Sequence, residues 1–170
     1  MKRLLIAAAF AAMAAVTATC APPASGYAGT ATWGTPLPHN AGAYPHIIVE
    51  SHVGAGWGIQ QALSTWGVPI SYGTCVTGVV CVRITEVGSL GGNRVGLTTV
   101  PGTVGDAITI ELANNPKMTS MQARQDIVHE FGHVLGLGHD NIGVMHAAIT
   151  GAFLGPDAAE VARVRSLYLG

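Results

Sequence analysis

The sequence predicts an α+β fold on three observations. Five short β-rich runs are separated by turn residues, three segments carry apolar residues at helical spacing, and one of these runs into a dense histidine and glycine motif. His46 to Val53 is the first strand, bounded by Pro45 and Gly54. In Trp57 to Trp66, the residues Trp57, Ile59, Ala62, Leu63 and Trp66 fall at helical spacing, and Gly67 with Pro69 closes a helix that packs on the sheet. Three further strands follow, Ile70 to Thr74, Cys81 to Val87 and Arg94 to Val100, punctuated by Gly73, Gly78 and Gly91-Gly92-Asn93. Ala107 to Leu112 alternates and is the fifth. Asn114-Asn115-Pro116 then breaks the chain, and Thr119 or Ser120 caps a second helix that runs through Gln122, Ile127 and Val128 to Gly136. Pro156-Asp157 opens a third, whose stripe of Ala158, Val161, Val164, Leu167 and Tyr168 reads as core. There is no internal repeat.

The chain has 170 residues, enough for one domain with a proper core once a targeting segment is set aside. With 10% charged residues and a net charge of -1 it has no basic surface, which argues against nucleic acid or anionic lipid as a partner. Its 23 glycines are spread between apolar runs, as in a turn-rich globular body.

Met1-Lys2-Arg3 followed by the apolar run Leu4 to Ala18 reads as a secretory signal peptide, since a spanning helix needs about 20 apolar residues. Val16-Thr17-Ala18 and Gly26-Tyr27-Ala28 both offer the small-residue cleavage pattern. Cys20 is placed like the lipid-modified cysteine of bacterial lipoprotein leaders, although Thr17-Ala18-Thr19 departs from their usual preceding residues, so a lipid anchor stays an open alternative. The expected layout is a leader over residues 1–28, an extended arm over 29–44 and one domain over 45–170. The protein is expected to be secreted or extracytoplasmic. In such a compartment Cys75 and Cys81 read as one local disulfide clasping a loop, against the alternative of two free thiols.

The chemistry is concentrated in His129-Glu130-Phe131-Gly132-His133-Val134-Leu135-Gly136-Leu137-Gly138-His139, which is H-E-x-x-H-x-x-G-x-x-H. Residues four apart on a helix lie one turn above each other, so His129 and His133 can reach one ion. Glu130 leans toward the same ion without being a ligand, as a general base for zinc-activated water. His139 is too far along to sit on the same straight helix, and Gly136 is where a sharp turn costs least. Three imidazoles leave a fourth tetrahedral position open, as in a catalytic rather than a structural site.

On these residues the chain resembles the metzincin zinc peptidases, and among them the matrixin-like branch. Gly143-Val144-Met145 looks like the family's Met-turn, although His146 stands where a Tyr or Pro often follows. Val95 to Gly102 with Gly105-Asp106 is similar to the family's edge strand and Pro-Gly loop, and Leu154-Gly155-Pro156-Asp157 with Leu167-Tyr168 is similar to the ends of its last helix. The resemblance implies a mixed, twisted, about five-stranded sheet with a packing helix, an active-site helix, a Met-turn and a C-terminal helix. It implies one catalytic Zn2+ on His129, His133 and His139, with Met145 as an apolar floor. It implies a peptide or protein substrate paired with the edge strand at Leu97, Thr98 and Thr99. The segment after the Met-turn, with Ala147, Ala148, Ile149 and Phe153, would wall an apolar specificity pocket, and His146 is a further candidate to touch the reacting groups.

The sequence offers no match to the family's cysteine-bearing propeptide motif. Asp106, His39, His46 and His52 are the polar candidates for a structural Ca2+ or second Zn2+ site, which the sequence leaves unassigned. The expectation is a monomeric secreted zinc metalloendopeptidase, a hydrolase. The alternative is a non-catalytic exported or lipid-anchored binding protein on a metallopeptidase scaffold, in which Glu130 would have no work.

Overall fold

The computed structural model describes residues 36–101 and 106–170. The leader with Cys20 and both cleavage patterns, residues 29–35 of the arm, and Gly102 and Gly105 lie outside the described residues. Five strands, β1 Ile47–His52, β2 Ile70–Tyr72, β3 Val80–Val87, β4 Gly96–Thr99 and β5 Ile108–Ala113, form one sheet in the order β2-β1-β3-β5-β4. The β2, β1, β3 and β5 strands run parallel, and β4 pairs antiparallel with β5 at the edge. Among the described residues three α-helices complete the fold: α1 Ile59–Leu63, α2 Ser120–Val134 and α3 Ala158–Leu169.

Register lines up the apolar residues of the inner strands. Val49 stands beside Val82 and Val82 beside Ile108, while Ile84 stands beside Ile110. All five are buried, and so are Ile127, Val128, Phe131 and Leu135 around α2. Each large aliphatic side chain in this core contributes about 1.5–3 kcal/mol over exposure.

The segment expected as one helix from Trp57 to Trp66 is broken. A 3-10 turn, Ala55–Trp57, is separated from α1 by Gly58 in the left-handed region (φ 62), and a second 3-10 turn, Ser64–Trp66, follows α1. The apolar spacing is helical, but Gly58 redirects the chain inside it. Trp66 is thereby turned onto α2, where its indole Nε1 donates to the Val128 carbonyl at 3.0 Å. Trp57 lies on the other side of the break and donates to Glu86 instead.

Thr119 caps α2 through a capping box: its hydroxyl accepts from the Gln122 N–H, and the Gln122 side chain accepts from the Thr119 N–H. Gly132, in the middle of this helix, leaves room for Met145 and Trp66, whose side-chain atoms occupy the space a Cβ would take. Cys75 and Cys81 form a disulfide with Cα atoms 5.5 Å apart, tying the loop after β2 to β3. The Cys75 N–H donates to Glu50, and this bond is the first cause holding the Glu50 carboxyl below its usual range. A disulfide fits an oxidising compartment. Among the described residues no helix is long and apolar enough to cross a membrane.

Candidate metal centre

The last turns of α2 carry His129 and His133 with both rings anchored. His129 Nδ1 lies 2.8 Å from the Val144 carbonyl, and His133 Nδ1 lies 2.8 Å from the Leu137 carbonyl. A carbonyl oxygen only accepts, so both protons sit on Nδ1 and both Nε2 atoms present lone pairs. Those Nε2 atoms are 3.0 Å apart. Two acceptors facing each other repel unless a cation lies between them, and a tetrahedral zinc with bonds of about 2.0–2.1 Å spaces its ligands by ~3.3 Å. The donor set therefore fits a metal ion. Burial, the leading cause, pushes the His133 pKa down to about 3 and lowers that of His129 too, so both rings are neutral, the form that binds metal.

Beyond α2, Gly136 adopts a left-handed φ of 90, the Gly136 N–H donates to His133 and the Leu137 N–H reaches back to Gly132 at 2.9 Å. This glycine-ended cap reverses the chain and returns His139 to the site. Its ring centroid is 5.1 Å from that of His129 and 4.9 Å from that of His133, and ligand atoms of all three histidines lie within 4.8 Å of one another. The first two are buried and His139 is exposed, so the centre opens to solvent on the His139 side.

Glu130, next to His129 on α2, is buried beneath β4. Thr98 Oγ1 is 2.9 Å from the Glu130 carbonyl and 2.5 Å from its Oε2. Burial pushes the Glu130 carboxyl up to about 7, against the lowering effect of the Thr98 hydrogen bonds. Four residues earlier, on the same helical face, Asp126 is wholly buried and neither of its oxygens has a hydrogen-bond partner. Burial first, and the Glu130 charge second, push Asp126 up to about 8, so it keeps its proton at neutral pH. Gly96 of β4 lies over both carboxyls: a Cβ there would stand 2.5 Å from Asp126 Oδ1 and 2.6 Å from Glu130 Oε1. Only glycine lets the strand come this close.

The turn carrying Met145 is closed by the Asp140 N–H on the Met145 carbonyl at 2.9 Å. Met145 is fully buried, and its N–H donates to Glu160 Oε1 at 2.8 Å, while Glu160 Oε2 accepts from the Asp157 N–H at 2.7 Å. Glu160 thus closes the capping box of α3 and holds the turn with one carboxylate. Gly143 sits against it at a φ of 84. Glu160→Gln replaces one of the two accepting oxygens with an amide donor facing an N–H. It is expected to cost about 2 kcal/mol of stability, read from the shift in urea midpoint.

The other residues named from sequence divide by strand alternation and packing. Thr98 faces α2, and by the period of two Leu97 and Thr99 point to the opposite side of β4. His146 Nδ1 accepts from the Ala148 N–H at 3.0 Å within its own turn, and Phe153 packs against the core cluster. His39 bonds the Leu37 carbonyl and meets Tyr168 edge-on, His46 bonds Ser71, His52 bonds Glu50, and Asp106 is exposed. Among the described residues these four join no group of three ligand atoms. The one other such group, Glu50 with Cys75 and Cys81, has both sulfurs in the disulfide. Asp126, Gly96 and Glu160 were not apparent as site residues from sequence. Two had usable signals: Asp126 stands four before Glu130, and Asp157-x-x-Glu160 is a capping-box pattern.

No protein-family model matches the sequence, and no curated protein does. Among solved structures, one of myroilysin matches with a TM-score of 0.54 at 13% identity, covering 79% of this chain and 82% of that one. A second structure of myroilysin gives 0.49 at 13% identity, covering 85% and 93%. At this identity the likeness is one of fold alone, a mixed α+β fold around a five-stranded, mostly parallel sheet.

Proposed function

We propose that this chain is an exported zinc-dependent endopeptidase of metzincin type, with residues 45–170 as its catalytic domain. The observation that carries the reading is the pair of Nδ1-anchored histidines with Nε2 atoms 3.0 Å apart, joined by His139 and with Glu130 next to His129 on the same helix. His129, His133 and His139 would hold the metal. Zinc, when bound, supplies a Lewis acid that polarises a carbonyl and makes water nucleophilic near neutral pH.

The chain's own groups supply the rest. Glu130 accepts the proton of the attacking water on its carboxylate and delivers it to the leaving amine nitrogen. Its pKa near neutrality suits both transfers. Asp126, being neutral, adds no second negative charge beside it. Thr98 ties Glu130 to β4, so the base and the strand keep one geometry. On the side away from β5, β4 has no paired strand among the described residues, so an extended peptide can dock there through main-chain hydrogen bonds.

The test is zinc content and hydrolysis of a mixed peptide library by one preparation, before and after chelation and after zinc is restored. One zinc per chain is expected, with cleavage that disappears on chelation and returns with zinc. Bound zinc without cleavage across the library would favour a binding protein on this scaffold instead.

A further inference from the structure

The mechanism above makes no use of the group formed by Glu50, Cys75 and Cys81. Val49 of β1 and Val82 and Ile84 of β3 turn into the core, so by the period of two Glu50 and His52, with Cys81 and Arg83, turn to the opposite face of the sheet. Glu50 and Arg83 stand beside each other in the register, and Cys75 joins Cys81 there through the disulfide. Both carboxylate oxygens are held at this spot. Glu50 Oε2 accepts from the Cys75 N–H at 3.1 Å and lies 3.5 Å from the Arg83 guanidinium, while Oε1 is 2.9 Å from His52 Nε2. Ligand atoms of Glu50, Cys75 and Cys81 all lie within 4.8 Å of one another.

Joined as a disulfide, the two sulfurs are neutral and poor ligands. Reduction changes the donor set. A dithiol reductant supplies two electrons and two protons, itself closing to a disulfide, and the bond between Cys75 and Cys81 becomes two thiols. A divalent ion then displaces both protons and is met by two thiolates. A tetrahedral ion with sulfur bonds of about 2.3 Å sets its sulfurs ~3.7 Å apart, a spacing that fits donor atoms already gathered within 4.8 Å. The Cα atoms, 5.5 Å apart, let the sulfurs part by side-chain rotation. Charge agrees with geometry: two thiolates and a carboxylate exceed a divalent ion by one negative charge, and Arg83 supplies the balancing positive one.

We infer that reduction of the disulfide turns this clasp into a binding site for a thiophilic divalent ion, zinc by its ligand chemistry, with Cys75, Cys81 and Glu50 as ligands and water in the fourth place. The loop between β2 and β3 is then tied in both redox states, by a covalent bond in an oxidising compartment and by an ion in a reducing one.

Cobalt(II) is the probe, added to the full chain either oxidised or reduced by a phosphine, which becomes the phosphine oxide and is removed under argon. The reduced protein is expected to take up one more Co2+ per chain than the oxidised. The added ion should bring the near-ultraviolet sulfur-to-cobalt charge-transfer band, which the imidazoles of His129, His133 and His139 cannot give. Glu50→Gln, whose amide oxygen can still accept from the Cys75 N–H, is expected to bind the added ion at least about tenfold more weakly. Cys75→Ser is expected to lose the band. Amide exchange over residues 76–79 should be slow in the oxidised protein and in the reduced zinc-loaded protein, and faster in the reduced metal-free one. Should reduction loosen the fold, the Glu50 comparison still decides, because Glu50 lies 25 residues from Cys75 and meets the thiols only in the folded sheet. The inference is overturned if reduction adds no ion, if the added ion brings no charge-transfer band, if Glu50→Gln binds it as tightly as wild type, or if zinc leaves exchange in the reduced loop unchanged.

Discussion

Glu130→Gln is expected to lower kcat/KM for peptide hydrolysis by roughly 10²–10⁴-fold, the usual contribution of a positioned general base, while zinc stays bound at one per chain. Gln has nearly the same shape, and its amide oxygen can still accept from Thr98, so the contact between α2 and β4 survives. The ligands are untouched, because His129 and His133 are oriented by the Val144 and Leu137 carbonyls and not by Glu130. What disappears is the group that takes and returns a proton. The fall should therefore lie in kcat, with KM little changed. A Gln variant that keeps a tenth or more of wild-type turnover would remove Glu130 from the mechanism.

Asp126→Asn is expected to stabilise the metal-free protein with rising pH. The Asp126 carboxyl is raised from an ordinary 3.8 to about 8 in the fold, so between roughly pH 4 and pH 8 the native state holds a proton that the unfolded chain has released. Stability attributable to this residue is thus present at the acid end and lost as pH rises through the window. At about 1.4 kcal/mol per pH unit, the loss between pH 5 and pH 8 is on the order of 4 kcal/mol. Asn cannot ionise and contributes no such slope. Its own burial cost is independent of pH and shifts the level without tilting it. Urea unfolding of both proteins from pH 5 to pH 8 gives the comparison. Parallel pH profiles would mean that Asp126 is paired in solution with a group that keeps its charge.

The fold was legible because its signals are local. Thr119 and Gln122 announce the start of α2 and Gly136 its end, and the alternation Ile108, Ile110, Leu112 marks a half-buried strand. The histidine pattern carries its own geometry, since ligands four apart on a helix need no further information. What could not be read were consequences of long-range packing. The apolar spacing from Trp57 to Trp66 hides the break at Gly58, because tertiary contacts with Val128 and Glu86 take the two tryptophans in different directions. Gly96 looks like any strand glycine until β4 lies over two carboxyls. Gln125 and Glu160 are unremarkable polar residues in sequence, and their partners, Gly151 and Met145, become neighbours only when the chain folds back. Thr98 was named for its strand, yet its contact with Glu130 depends on which face alternation turns toward α2.

The clamp from Glu160 onto the Met145 N–H also makes one part of the centre depend on the last helix of the chain. Chains emerge from synthesis or export with the N-terminal end first, so the sheet strands and α2 are available before α3 is. Until α3 docks, the histidines can be present while the turn beneath them lacks its carboxylate anchor. The turn under the histidines is therefore complete only where the last helix is docked, so whatever loosens that helix loosens the turn as well.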